Sequence, residues 1–105
     1  MSQRTVMLVC NAGMSTSMLV SKMKKNAEER GVDIDIFAIS SVSFEEEIAN
    51  RQIDVILLGP QVKYMKQQFS ERVSDKKIPV EVIPMVDYGT MNGSKVLDFA
   101  LGLMP

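Results

Sequence analysis

The chain has no histidine, and its 105 residues include a single cysteine, Cys10. Without histidine it can build neither a Cys/His zinc site nor a Cys-His catalytic pair, and a lone thiol cannot close an internal disulfide. Long apolar runs are missing too. None exceeds about six residues, far short of a membrane-spanning helix, and the N-terminus carries no signal-peptide hydrophobic region. These absences predict a cytoplasmic protein without direct membrane insertion. Charge of one sign is also lacking: 12 Lys and Arg against 13 Asp and Glu leave a net charge of -1. That balance offers no electrostatic footprint for nucleic acid. No G-x-G-x-x-G and no Gly-Lys-[Ser/Thr] occurs, which disfavours dinucleotide and nucleotide binding.

What is present reads as one globular domain over residues 1–105, with 46% hydrophobic and 24% charged residues and no repeat or linker. Four short runs rich in Val or Ile, Thr5 to Val9, Ile34 to Ile39, Ile53 to Leu58 and Val80 to Ile83, read as strands. Three lack polar alternation, as parallel strands covered on both faces do, whereas Asp33, Ile34, Asp35, Ile36 alternates like an edge strand. Between them, Ser15 to Arg30 places Leu19, Val20, Met23 and Ala27 on one face and stops at Gly31. Phe44 to Asn50 forms a short acidic helix. Pro60 starts a helix to about Ser74, with Val62, Met65, Phe69 and Val73 at three- and four-residue spacing, and Ser94 to Met104 closes the chain. Alternating strands and helices predict an open α/β sandwich, a four-stranded parallel sheet of order 2-1-3-4 with helices on both faces. In that order the crevice opens at the carboxyl end of the first strand, where Cys10 stands.

Cys10 is followed by a small polar loop, Asn11, Ala12, Gly13, Met14, Ser15, Thr16 and Ser17, that leads into a helix. A thiol wrapped by backbone amides at a helix N-terminus is placed where its thiolate and a bound anion are both favoured. Gly13 lets the backbone approach a ligand, and the three hydroxyls can cap the helix or meet phosphate oxygens. The expected ligand is phosphate-like. Small cysteine-dependent phosphatases grip the phosphoryl group with an Arg six positions after the Cys, and here that position is Thr16. No Lys or Arg occurs between Thr5 and Ser21, so amides and hydroxyls alone would hold the charge, which weakens stabilisation of a hydrolytic transition state. Such a site suits a carrier that holds a phosphocysteine without hydrolysing it.

Other motifs favour blander readings. Glu45, Glu46 and Glu47 are adjacent on a helix and cannot converge on one point, so they read as a solvated face. Asp87, Tyr88 and Gly89 follow the last strand, where small cysteine phosphatases keep a general acid, but the residues suit a turn and the turn is expected. The nine methionines read as core filler, with Met14 a candidate for partner contact. The alternatives to a carrier are a weak cysteine-dependent phosphatase or arsenate reductase of similar fold, or a regulatory module that holds an anion in the crevice.

The segments CNAGMSTSMLVSKM, VILLGPQVKYM and PVEVIPMVDYG together resemble the lactose/cellobiose-type enzyme IIB component of the bacterial sugar phosphotransferase system, over essentially the whole chain. The resemblance implies that Cys10 accepts a phosphoryl group from a phosphohistidine on a phosphorylated IIA partner. It then passes the group to a sugar, a β-linked disaccharide being expected, bound by the membrane IIC permease. It also implies a phosphate-binding role for Asn11 through Ser17 and a position beside the cysteine for Leu57 to Gln61. Gln61, Tyr64, Asp87 and Tyr88 are inferred as rim or partner contacts. No metal or cofactor is expected, since a phosphohistidine donor is already activated and the chain offers no ligand cluster.

Overall fold

The computed structural model describes residues 4–11 and 13–104. Its centre is a parallel four-stranded sheet in the order β2-β1-β3-β4, built from β1 (Arg4–Cys10), β2 (Ile34–Ser40), β3 (Val55–Leu58) and β4 (Val80–Val82). The expected order and the edge position of the second strand are therefore both found. β1 runs beside β2 along its whole length, from Arg4 against Ile34 to Cys10 against Ser40. Because side chains alternate along a strand, β1 feeds two cores. Val6 and Leu8 pack under α1 (Gly13–Arg30) and α5 (Gly93–Leu103), while Met7 and Val9 pack against α2 (Phe44–Asn50), Val62 and α3 (Lys66–Arg72). The Phe44 and Phe69 rings stack across the second layer at 3.8 Å between centroids. All of Val6 to Cys10 is removed from solvent, which accounts for the unbroken apolar reading of that strand.

Several element boundaries depart from the sequence reading. Cys10 is the last residue of β1 rather than the first beyond it, and α1 begins at Gly13, two residues before Ser15. Its end falls where expected. Gly31 takes φ +69°, its N–H donates to Glu28 O and that of Val32 to Ala27 O, a C-terminal lock that favours glycine. The single helix expected from Pro60 to Ser74 is instead three pieces, a 3₁₀ segment over Pro60–Met65, α3, and a 3₁₀ turn at Ser74–Lys76. Val62 breaks it at φ -118°, ψ 22°, with its side chain fully buried. The turn expected at Asp87 to Gly89 is a one-turn helix, α4 (Met85–Gly89), in which the Tyr88 N–H donates to Pro84 O. Asn92 caps α5 by accepting from the Lys95 N–H at 3.1 Å.

Candidate functional site at the end of β1

β1 and β3 are neighbours, but β1 returns through α1 to β2 on its other side, so the crevice between the two crossovers opens at Cys10. Alternation from Val6 and Leu8 directs the Cys10 side chain to the face that carries α1 and α5. Cys10 is fully buried. Gly59, just past β3, seals its flank: the Gly59 N–H donates to Val9 O at 2.9 Å, and a Cβ built on Gly59 would lie 3.5 Å from the Cys10 Cβ. The same Cβ would meet Gln61 Oε1 at 2.7 Å, so glycine there leaves room for the glutamine amide to fold back toward the cysteine.

A packing cysteine would also be buried, and what distinguishes this end of the sheet is a linked group of polar side chains from the segments that follow β1, β3 and β4. Thr16, six positions after Cys10 and in the first turns of α1, has no solvent exposure. Its Oγ1 lies 3.0 Å from the phenolic oxygen of Tyr88, 72 positions away in sequence. Gln61 Nε2 donates to the same phenolic oxygen at 3.2 Å. Three segments that leave the carboxyl ends of β1, β3 and β4 are thereby tied through one hydroxyl. Tyr88 reaches inward because α4 turns it under, with Thr90 Oγ1 closing that turn on Val86 O at 2.8 Å.

The structure thus brings Cys10, Thr16, Gln61 and Tyr88 to one end of the sheet. Tyr88 is an interior residue rather than a rim contact, because its ring is covered and its hydroxyl is engaged below the surface. Tyr64 is 73% exposed and fits the rim, and Asp87 is half-buried, with its carbonyl accepting from the Asn92 N–H. Asn11 and Ser17 are exposed. Ala12 lies outside the described residues, as do the side chains of Met14 and Ser15. α1 begins at Gly13, so the backbone amides of its first turn, which no helix satisfies internally, lie immediately after the cysteine. Among the described residues no three acidic or cysteine side chains converge as metal ligands.

One feature of this end escaped the sequence reading. The large hydrophobic residues exposed among those described are Met18, Val42, Tyr64, Met85 and Val86, and every one follows the carboxyl end of a strand. Val42 is 90% and Val86 75% exposed. Val42 stands between Ser41 and Ser43, an apolar residue in a polar turn, and that mismatch was the available signal. A cavity of about 350 Å³ opens at the opposite edge, lined by Arg51, Gln52, Ile53, Asp54, Lys76 and Ile78. Of its charged residues, Arg51 pairs with Asp35 and Glu47, Asp54 accepts from the Thr5 N–H at 2.7 Å, and Lys76 Nζ donates to Ile48 O at 3.4 Å.

Residues 5–99 match the family model of the phosphotransferase (PTS) system lactose/cellobiose-specific IIB subunit. The chain is 46% identical to a PTS galactose-specific EIIB component of Lactococcus lactis subsp. cremoris, over 99% of each chain. It is 38% identical to an oligo-beta-mannoside-specific EIIB component of Bacillus subtilis, over 96% of each. The solution structure of a cellobiose-specific IIB component from Borrelia burgdorferi superposes with TM-score 0.78 at 41% identity, covering 98% of this chain and 93% of that one. A lactose-specific IIB domain from Streptococcus pneumoniae shares the fold at TM-score 0.86 and 17% identity, covering 97% and 98%.

Proposed function

The chain belongs to the lactose/cellobiose-specific IIB family of the phosphotransferase system, and on that premise we propose that Cys10 is its phosphoryl carrier. A phosphohistidine on a IIA protein presents its phosphorus to the Cys10 thiolate; the S–P bond forms as the P–N bond breaks, and the histidine leaves. A hydroxyl of the sugar held by the IIC permease later attacks the same phosphorus, the S–P bond breaks and the thiolate is regenerated, with the hydroxyl proton taken up on the IIC side. The amides that open α1 receive the equatorial oxygens. Exchange would take place in the cytoplasm. No helix among the described residues is long and apolar enough to cross a membrane, so sugar passage itself falls to the permease.

The observation that carries this reading is the placement of Cys10 as the last residue of a central strand, three positions before the first residue of α1, at the crevice of the sheet. Met18, Val42, Tyr64, Met85 and Val86, all exposed in segments that follow the carboxyl ends of strands, are in keeping with a phosphoryl group delivered by a protein rather than by a diffusing metabolite. The cellobiose-specific and oligo-beta-mannoside-specific relatives support a β-linked sugar as cargo. The test is incubation with a phosphorylated lactose/cellobiose-type IIA protein followed by intact-mass measurement. One phosphoryl group should appear on the wild type and none on Cys10→Ala; an unlabelled wild type, or a labelled Cys10→Ala, defeats the proposal.

A further inference from the structure

Cys10 has no solvent exposure, yet a phosphoryl donor must bring its phosphorus into contact with the sulfur before the two can react. Something over the thiol has to move. The strands are poor candidates: Val6 to Val9 are buried between two cores, and the Gly59 N–H ties the chain after β3 to Val9 O at 2.9 Å. Among the described residues Thr16, Tyr88 and Gln61 meet on the face toward which Cys10 points, the Tyr88 ring belonging to the same core as Val6 and Leu8. Thr16 is wholly buried and Tyr88 only 8% exposed, whereas Gln61 is an exposed residue. Its amide nevertheless folds inward. The position of a Cβ on Gly59 lies 2.7 Å from Gln61 Oε1 and 3.5 Å from the Cys10 Cβ, so the amide and the cysteine border the same small space. Gln61 Nε2 is fastened there by donating to the Tyr88 hydroxyl at 3.2 Å, a neutral hydrogen bond at the long end of its range. The next residue, Val62, packs into the opposite core with Met7 and Val9, which anchors the backbone from which the Gln61 side chain can turn.

Resting on the carrier reading above, we infer that the Gln61 side chain is a gate on Cys10: it closes the crevice over the thiol in the unloaded chain and swings out toward solvent to admit the phosphohistidine. Turning it out breaks one neutral hydrogen bond and uncovers no apolar core, whereas moving the Tyr88 ring would open the first core to water. Glycine at position 59 gives the closed amide its room, because a Cβ there would collide with Gln61 Oε1. Gln61 makes and breaks no bond to phosphorus; it sets how often the sulfur can be reached.

The experiment is alkylation of Cys10 by excess iodoacetamide, followed by intact mass, in wild type, Gln61→Ala, Gln61→Met and Ile53→Val, with thermal melting of each. Gln61→Ala should react roughly three- to tenfold faster than wild type, the range expected when one neutral hydrogen bond and the cover it holds are lost. Gln61→Met keeps the bulk without the amide and should fall between the two. The acceleration should be the same across the thiol's titration, since a gate changes access and not ionisation. Ile53→Val thins the second core ahead of β3, at the opposite end of the sheet, and should leave the rate at the wild-type value. Equal rates in wild type and Gln61→Ala, or an equal acceleration in Ile53→Val, overturn the inference. Single-turnover labelling by a phosphorylated IIA protein completes the test. Gln61→Ala should be labelled at least as fast as wild type at saturating IIA, and a slower variant makes the amide a contact of the phosphoryl group instead of a gate. A wild type that alkylates but takes no phosphoryl group fells the carrier reading first, and with it the visitor this gate admits; alkylation does not involve IIA, so the two failures are told apart.

Discussion

Gly93→Ala and Gly102→Ala place the same methyl group on the same helix, α5, and should move stability in opposite directions. A Cβ on Gly93 would sit 2.7 Å from both the carbonyl carbon and the Cβ of Lys22, and 2.9 Å from the Met23 nitrogen, where ordinary contact begins near 3.4 Å. About 0.7 Å must therefore be found, and the atoms in the way belong to the α1 backbone. That backbone is anchored by Leu19 and Met23, both fully buried, so α5 has to retreat and loosen Val96 and Leu97 in the same core. Overpacking of this kind costs roughly 1–3 kcal/mol, and little of it is recovered from helix propensity because Gly93 is the first residue of α5. At about 4–8 °C per kcal/mol for a domain near this size, Gly93→Ala should melt about 4–24 °C below wild type. Gly102 has nothing within 4 Å of its would-be Cβ, so Gly102→Ala should gain about 0.5 kcal/mol and melt slightly higher. Urea midpoints at constant slope would report the same two signs. A Gly93→Ala protein as stable as wild type would refute the close approach of α1 and α5, and with it the account of how α1 is held behind Cys10.

Two further outcomes follow from the carboxyl-end architecture. Val86→Glu and Val42→Glu, at positions 75% and 90% exposed, should leave the melting temperature within about 1–2 °C of wild type while weakening binding to the IIA protein several-fold by calorimetry; undiminished affinity in both would remove these residues from the docking face. Hydrolysis of an aryl phosphate should be negligible in wild type, and Asp87→Asn should leave phosphoryl transfer from IIA unchanged, since no arginine stands six positions after the cysteine. Steady turnover that disappears in Asp87→Asn would instead make the chain a phosphatase.

The strands and the order of the sheet were legible because each β run is short, branched and bounded, and because parallel topology leaves few arrangements. Gly31 announced the end of α1 correctly, since a left-handed residue after a helical stripe is a local matter. The segment after Pro60 misled for a physical reason. Val62, Met65, Phe69 and Val73 recur at intervals of three and four, a spacing that a 3₁₀ segment followed by a short α-helix buries as well as one continuous helix does. Side-chain networks were the least legible. Gln61 and Tyr88 could be placed at the correct end of the sheet, but nothing local to residue 88 tells that its ring turns inward to meet a hydroxyl 72 positions away. The one-turn helix that turns it is too short to leave a periodic signature.

All four strands point the same way, and their exits lie along one edge with Cys10 at its middle. If Cys10 carries the phosphoryl group as proposed, this architecture offers one doorway for two visitors: the protein that brings the group and the permease that removes it would share a threshold, and traffic through the chain would become a matter of taking turns. Throughput is then governed by how readily each visitor lets go, and the best partner is one held only briefly.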